Sequence, residues 1–542
     1  MKKLFFLFAA AFAISLNAQK PAAPTKAPDN WFNTSYATSG SHGIRTEQTY
    51  TELITGKKPD TVIVAVIDGG VDYMHEDLKD VMWHNPGEIP GNGIDDDKNG
   101  YVDDVYGWNF IGGKDGKNVQ YDNLELVRLY RPLYKKYKDR DPNSITPGER
   151  DEYNRYLSLK KDYDAELAQW KGIQQQLVFF KGYIRDIKQQ RKTDTATFED
   201  FKAFVPGPKY EKVHKRLQLF IKTPESWAEI QKELTEGEPE VNSHLDYALN
   251  LDYDPRSIVG DNYDDPNERY YGNPDVKGPD ALHGTHVAGI IAANRMNNLG
   301  ILGVNSAVKI MAVRVVPNGD ERDKDVANGI RYAVDNGAKI INMSFGKSYG
   351  ANKAIVDEAV KYAESKGVLL IHAAGNDNKD NDHTNNFPNP FYLSGGQATN
   401  WIEVGALSWK DGKDLVASFS NFGQTHVNVF APGVDILSAK SNGGYVSESG
   451  TSMASPVTAG AAAFLKCYFP NLTPQQIKEV IEKSSDKSMA NAKVYRPGGK
   501  KRALKFMRKL GPKKKKVKFK KLSTSGGMVD LYAAFKMAES MK

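Results

Sequence analysis

Cysteine is nearly missing from this 542-residue chain, and its single copy, Cys467, rules out an internal disulfide framework and any cysteine-based metal site. Cys467 reads as core filler on a helix. Stability must come from packing or from bound ions. Long apolar runs are equally scarce. The one that stands out, residues 4–16, follows Met1-Lys2-Lys3 and precedes Asn17-Ala18-Gln19, and it is too short for a comfortable membrane span. That layout predicts a signal peptide over 1–18, cleaved after Ala18, and hence a secreted protein (extracellular or periplasmic) with no transmembrane anchor. Residues 19–54 then read as an N-terminal arm, its stretch 20–46 rich in Pro, Ala, Ser and Thr and expected to be mobile.

With 40% hydrophobic and 26% charged residues, the composition excludes wholesale disorder, collagen and a polytopic membrane protein. The net charge of +6 misleads. Fourteen Lys or Arg and no acid fall within 496–521, and two more lysines lie in the signal; with those sixteen set aside the balance is −10. A basic insertion loop, 487–522, thus sits on an acidic body. The loop is expected to be solvated and open to contact with anionic surfaces; no aromatic stacking platform accompanies it, so no nucleic-acid partner is expected.

Residues 61–67 form a continuous β-branched apolar run ending at Asp68-Gly69-Gly70, as suits a strand buried on both faces of a parallel sheet. Similar runs occupy 309–316, 339–345, 368–374 and 401–407, with helical patterns at 324–336 and 352–365. Alternation of this kind predicts an α/β doubly wound parallel sheet, whose chemistry gathers at the carboxyl ends of strands. Residues 113–255 have another texture. Pro147 opens a helix on which Tyr156, Leu159, Tyr163, Leu167, Trp170, Ile173, Leu177, Phe180, Ile184 and Ile187 recur at steps of three or four, one amphipathic helix of about forty residues. With 124–137, 210–221 and 224–234 as partners, it predicts a large helical insertion within the α/β domain.

Three motifs carry chemistry: Val66-Ile67-Asp68-Gly69-Gly70, His283-Gly284-Thr285-His286 and Gly450-Thr451-Ser452-Met453-Ala454-Ser455-Pro456. Acyl transfer needs a hydroxyl nucleophile, an imidazole to take its proton and a carboxylate to orient the imidazole, and these supply one of each. Their order, together with Asn342-Met343-Ser344-Phe345-Gly346, Ala373-Ala374-Gly375-Asn376, Ser418-Phe419-Ser420-Asn421 and Ala431-Pro432-Gly433, resembles the subtilisin-like serine proteases, or subtilases. The resemblance covers roughly 55–112, 256–486 and 523–540. It implies one peptidase domain over 55–540, interrupted by the two insertions, where length alone suggests three or four domains.

The resemblance further implies Ser452 as nucleophile, His283 as general base, Asp68 as orienting carboxylate and Asn376 as oxyanion donor. Ser344, Phe345 and Gly346 would bind substrate as an adjoining strand, the substrate being a protein or peptide. Gly69 stands where the family usually has Ser or Thr, so a modest loss of orientation at Asp68 is expected, and Val457-Thr458 replaces His-Val. The 49 residues between the predicted cleavage point and Asp68 are too few for an inhibitory pro-domain as well as the strand's lead-in, which implies folding without one.

Structural calcium is expected, and no organic cofactor. Asp95, Asp97 and Asn99 alternate ahead of Gly100 with Asp104 beyond, the oxygen-rich pattern of a calcium loop without its closing Glu. Asp77 and Asn297 match positions that bind a structural calcium in many subtilases. Two rival readings exist. A zinc hydrolase on His283 and His286 lacks the glutamate and the third ligand. A non-catalytic binding protein on a degenerate protease fold would use the helical insertion as its interface.

Overall fold

The computed structural model describes residues 24–498 and 515–541. The signal expected over 1–18 and most of the basic 496–521 stretch lie outside them.

A seven-stranded parallel sheet forms the centre. Its strands are β1 (Val62–Asp68), β2 (Gly107–Asn109), β3 (Val308–Arg314), β4 (Ile340–Met343), β5 (Leu369–Ala373), β6 (Trp401–Leu407) and β7 (Val429–Pro432), in the order β2-β3-β1-β4-β5-β6-β7. β1 shows why the runs are apolar throughout. Val62, Val64 and Val66 join a core with Val287, Ile290, Ala454 and Ala461, whereas Ala65 and Ile67 join a second core with Val326, Ile330 and Ala359. Helices therefore cover both faces.

Among the described residues, and leaving aside the single turn Tyr36–Ser39, the α-helices in chain order are α1 (Thr46–Glu52), α2 (Glu125–Tyr137), α3 (Arg150–Arg191), α4 (Phe198–Ala203), α5 (Glu211–Phe220), α6 (Pro224–Asn242), α7 (Leu282–Ala292), α8 (Asp323–Asp335), α9 (Lys353–Ser365), α10 (Thr451–Tyr468), α11 (Pro474–Ser484) and α12 (Leu531–Glu539). Helix α3 has 42 residues and, at 1.5 Å per residue, runs about 63 Å. Thr146 and Glu149 form a capping box ahead of it, with Pro147 between them. Its buried stripe serves two cores in succession. Tyr153, Tyr156 and Leu159 pack with Leu126, Tyr130 and Tyr137 of α2; farther along, Trp170, Ile173, Leu177 and Phe180 pack with Phe201, Leu217, Trp227 and Ile230 of α4 to α6.

The N-terminal arm is not the mobile segment expected from its composition. Trp31, Phe32 and Ile44 are fully buried in the main core, the Asn33 amide donates to the Leu302 carbonyl at 2.7 Å, and Arg45 forms an ion pair with Asp530. Three apolar anchors outweigh the Pro/Ser/Thr-rich composition between them. At the other end, Lys493–Tyr495 and Lys516–Lys518 pair antiparallel, and Phe519 is buried, so the base of the basic loop is tied to the domain.

Candidate active site

Asp68 is the last residue of β1 and 2% exposed. Its Oδ1 accepts from the Gly69 backbone N–H at 2.7 Å and faces His283 Nδ1 at 2.8 Å. His283, the second residue of α7, keeps 46% of its side-chain surface open to the cleft. This pairing needs α7 to approach β1 closely, and Gly284 permits it: a Cβ there would lie 2.2 Å from the Gly70 carbonyl oxygen and 3.1 Å from Asp68 Cβ. Asp68 Oδ2 is buried with no hydrogen-bond partner. Gly69 offers no side-chain hydroxyl to it.

Burial works against charging the His283 ring, but the Asp68 carboxylate, aided by Glu448 and Asp280, outweighs it and raises the pKa above the usual 6.5. His286, one turn on, is fully buried, and its Nε2 lies 3.0 and 3.1 Å from the carbonyls of Ile436 and Val446. Burial lowers its pKa to about 4, so it is a neutral packing residue with no cleft access.

Ser452 is the second residue of α10, where unpaired N–H groups favour negative charge. Its Oγ donates to the Ser344 carbonyl at 3.0 Å, and the Ser344 hydroxyl donates to the Ser452 carbonyl at 2.9 Å. These reciprocal bonds tie the 344–346 segment, which leaves the end of β4, to the start of α10. Behind them the Ser455 hydroxyl donates to Asn342 Oδ1 at 2.8 Å. The Asn376 side chain is fixed by Thr451, whose N–H and hydroxyl donate to Asn376 Oδ1 at 2.8 and 3.0 Å. With the oxygen so held, the Nδ2 end is the one left to donate, and it lies 3.5 Å from the Cβ position of Gly450. Asp68 and His283 thus pair at the carboxyl end of β1 and the amino end of α7, while Ser344, Ser452 and, through Thr451, Asn376 are joined where β4 and β5 end and α10 begins.

Sequence reasoning missed several supports. Arg314, in register with Asp68 on β3 and 1% exposed, donates to the Gly69 carbonyl at 2.8 Å, to Asn109 Oδ1 at 3.1 Å and to the Val119 carbonyl. Burial lowers its pKa to about 10, which leaves it charged at neutral pH. An arginine closing an apolar run was the available signal. Glu448, at the end of a hairpin strand (Tyr445–Glu448), carried none.

The residues named for calcium divide into two groups. Carboxylate oxygens of Asp95 and Asp97 converge with one of Glu88, all within 4.8 Å of one another. Among the described residues no Lys or Arg pairs with Glu88, Asp95, Asp97 or Asp104. Carboxylates that converge without a basic partner fit a hard dication, and here they also accept N–H groups of their own loop, Glu88 from Asp96, Asp97 and Asp103 and Asp95 from Asn99 and Gly100. Asn99 and Asp104 lie on the inner side and bond to each other at 3.1 Å; Asp104 also accepts from Tyr332 and Asn85, and burial raises its pKa to about 6. The pair Asp77 and Asn297 is also brought together: Asp77 accepts from Asn297 Nδ2 at 2.5 Å, the Ile301 N–H at 3.3 Å and the Tyr445 hydroxyl at 2.9 Å. Asn297 Oδ1 is already taken by the Leu299 N–H, and Arg295 turns away to Glu47.

Comparison with known proteins bears on the whole arrangement. A thermophilic serine proteinase from Bacillus sp. (strain AK1) is 41% identical over 217 residues, 40% of this chain and 50% of that protein. Thermitase from Thermoactinomyces vulgaris is 40% identical over 218 residues, 40% of this chain and 71% of its own length. A solved protease structure from Pseudoalteromonas arctica shares 26% identity over 49% of this chain and 78% of that one, with a TM-score of 0.38. The chain thus spans about half the length of the first of these relatives. The family model described as the subtilase family matches residues 60–500, most of the sequence, and the chain belongs to that family.

Proposed function

We propose that this protein is a secreted serine endopeptidase that hydrolyses peptide bonds in proteins through an acyl-enzyme on Ser452. The observation that carries the reading is the 2.8 Å contact between Asp68 and His283 Nδ1, taken with a serine at a helix amino end and an asparagine amide whose oxygen is held by Thr451. Asp68 keeps the Nδ1 proton in place, so Nε2 is the basic nitrogen. Ser452 Oγ releases the Ser344 carbonyl, passes its proton to His283 Nε2 and attacks the scissile carbonyl carbon. The tetrahedral oxyanion is held by Asn376 Nδ2 and the Ser452 N–H. His283 then protonates the leaving amine, and water enters by the same route to free the acid. An extended substrate pairs its backbone with Ser344, Phe345 and Gly346.

The rival reading, a binding module on a degenerate site, has no such support, because Asp68, His283, Asn376 and Ser452 all stand. Export rests on the sequence of residues 1–19; no described helix is long and apolar enough to cross a membrane. Calcium belongs to the Glu88, Asp95 and Asp97 cluster, where it would neutralise the converging carboxylates and fix the 88–104 loop. Labelling by a fluorophosphonate probe tests the nucleophile. The folded wild type should label and digest casein, and Ser452→Ala should do neither; equal casein turnover by the two would sink the peptidase reading.

A further inference from the structure

Two chain segments leave the carboxyl ends of the strands that flank β1, whose end carries Asp68. Residues 316–321 leave β3, beginning where the Val315 and Val316 N–H groups donate to the Asp68 carbonyl, and residues 344–349 leave β4. Because β3 and β4 flank β1, an extended peptide crossing the end of β1 lies between them. Both segments are gripped by the helical insertion.

On the first segment, the Asn318 N–H donates to the Gln120 carbonyl at 2.7 Å, and Asp320 Oδ2 accepts from the Glu125 N–H at the start of α2 at 2.7 Å. Arg128, also on α2, donates to the carbonyls of Asp320 and Glu321 at 3.0 Å each and to Glu125 Oε2 at 2.8 Å. On the second segment, Lys347 follows Gly346 directly and its side chain is 1% exposed. Its ammonium meets Glu125 Oε2 at 2.8 Å, Asp323 Oδ1 at 2.7 Å and the Glu321 carbonyl at 2.7 Å. Two residues later the Tyr349 hydroxyl donates to Asp162 of α3, and its ring packs on the cluster of Tyr130, Tyr156 and Leu159.

Glu125 and Asp323 compensate Arg128 and Lys347, whereas burial, with Asp320 and Asp323 beside it, raises the pKa of the neighbouring Glu321 carboxyl to about 8. Burial opposes the Glu125 carboxylate, yet Arg128 and Lys347 hold its pKa down at about 2; Asp323 and Glu125 likewise keep Lys347 charged against burial. Buried ion networks of this kind add little net stability compared with apolar packing, but they fix geometry. Here the geometry fixed is the spacing between the two segments.

We infer that Glu125 and Arg128 of the insertion are positioning residues for the Ser344–Gly346 substrate edge, so that the insertion is a built-in wall of the acyl-side cleft. This rests on the peptidase reading. The insertion is then neither a detachable cap nor an independent docking module, and acyl-side recognition of extended peptides depends on it.

The test uses the full-length protein, a pair of fluorogenic peptide amides with one or four residues on the acyl side of the same cleaved bond, and a small fluorophosphonate that reaches only Ser452. For Glu125→Gln, KM for the four-residue substrate should rise about tenfold with kcat little changed, since a charged hydrogen bond that sets alignment is lost. The one-residue substrate and the labelling rate should stay within about twofold of wild type. Tyr349→Phe, which keeps the ring and loses one hydroxyl bond, should show the same selectivity at about threefold. It carries the test if Glu125→Gln fails to fold. Loss of labelling and of both substrates in parallel, in folded variant protein, would overturn the positioning role, as would an unchanged KM for the long substrate. Wild type that neither labels nor cleaves would overturn the peptidase reading and this inference with it.

Discussion

On the proposed mechanism, His283 carries the pH behaviour of the site. Catalysis needs the neutral imidazole, and the Asp68 carboxylate, with Glu448 and Asp280 behind it, holds the proton more tightly than in free histidine. The acid limb of the kcat/KM profile should therefore turn above pH 6.5. Glu448→Gln should move it to lower pH with kcat on the alkaline plateau nearly unchanged, because Glu448 acts on the ring only through its charge. An unmoved limb would remove Glu448 from the account. Arg314 acts differently. It satisfies the Gly69 and Val119 carbonyls and the Asn109 side chain from a buried position, and each acceptor orphaned by Arg314→Met costs about 1–3 kcal/mol. Urea unfolding should show that loss, and the turn after Asp68 should loosen with it.

Elements differ in how far they can be read without coordinates. The runs behind β1, β3, β4, β5 and β6 were legible because a strand buried on both faces must be apolar throughout, and α3 because its stripe repeats over residues 156–187, about nine turns. The motifs holding Asp68, His283 and Ser452 are contiguous strings, so each could be found on its own. Strand β2 escaped: three residues ending in Asn109 carry no periodicity. Glu88 and the Glu125–Lys347 pair escaped for another reason. Each depends on a partner brought near only by folding, 222 residues away for Lys347. The arm was misjudged because composition averages over the few residues that anchor it. Trp31 and Phe32 are buried at no visible period. Trp31→Ala should cost about 3–5 kcal/mol, as for other large-to-small core changes, and denaturant titration measures it. A cost below 1 kcal/mol would restore the picture of a loose arm.

Across the whole molecule, the excess positive charge lies in the 487–522 loop and the body is acidic, which makes the 88–104 loop the place where charge most needs a counterion. Glu88, Asp95 and Asp97 converge with no basic partner among the described residues, and Asp77 meets Asn297 and the Tyr445 hydroxyl. Substitution at each group tells which of them holds a cation. A cation that binds only the folded state at about 100 times its Kd adds about 2.7 kcal/mol, so excess chelator should lower the melting temperature. Glu88→Gln or Asp95→Asn should melt near the chelated value and lose further sensitivity to chelator. Asp77→Asn should lower the melting temperature by releasing the Tyr445 and Ile301 contacts, and any share of the chelator effect lost with it belongs to a cation at that group. A melting temperature indifferent to chelator would remove the cation from the 88–104 loop. A chelator effect abolished by Asp77→Asn alone would move it to the group whose donors are closed around Asp77.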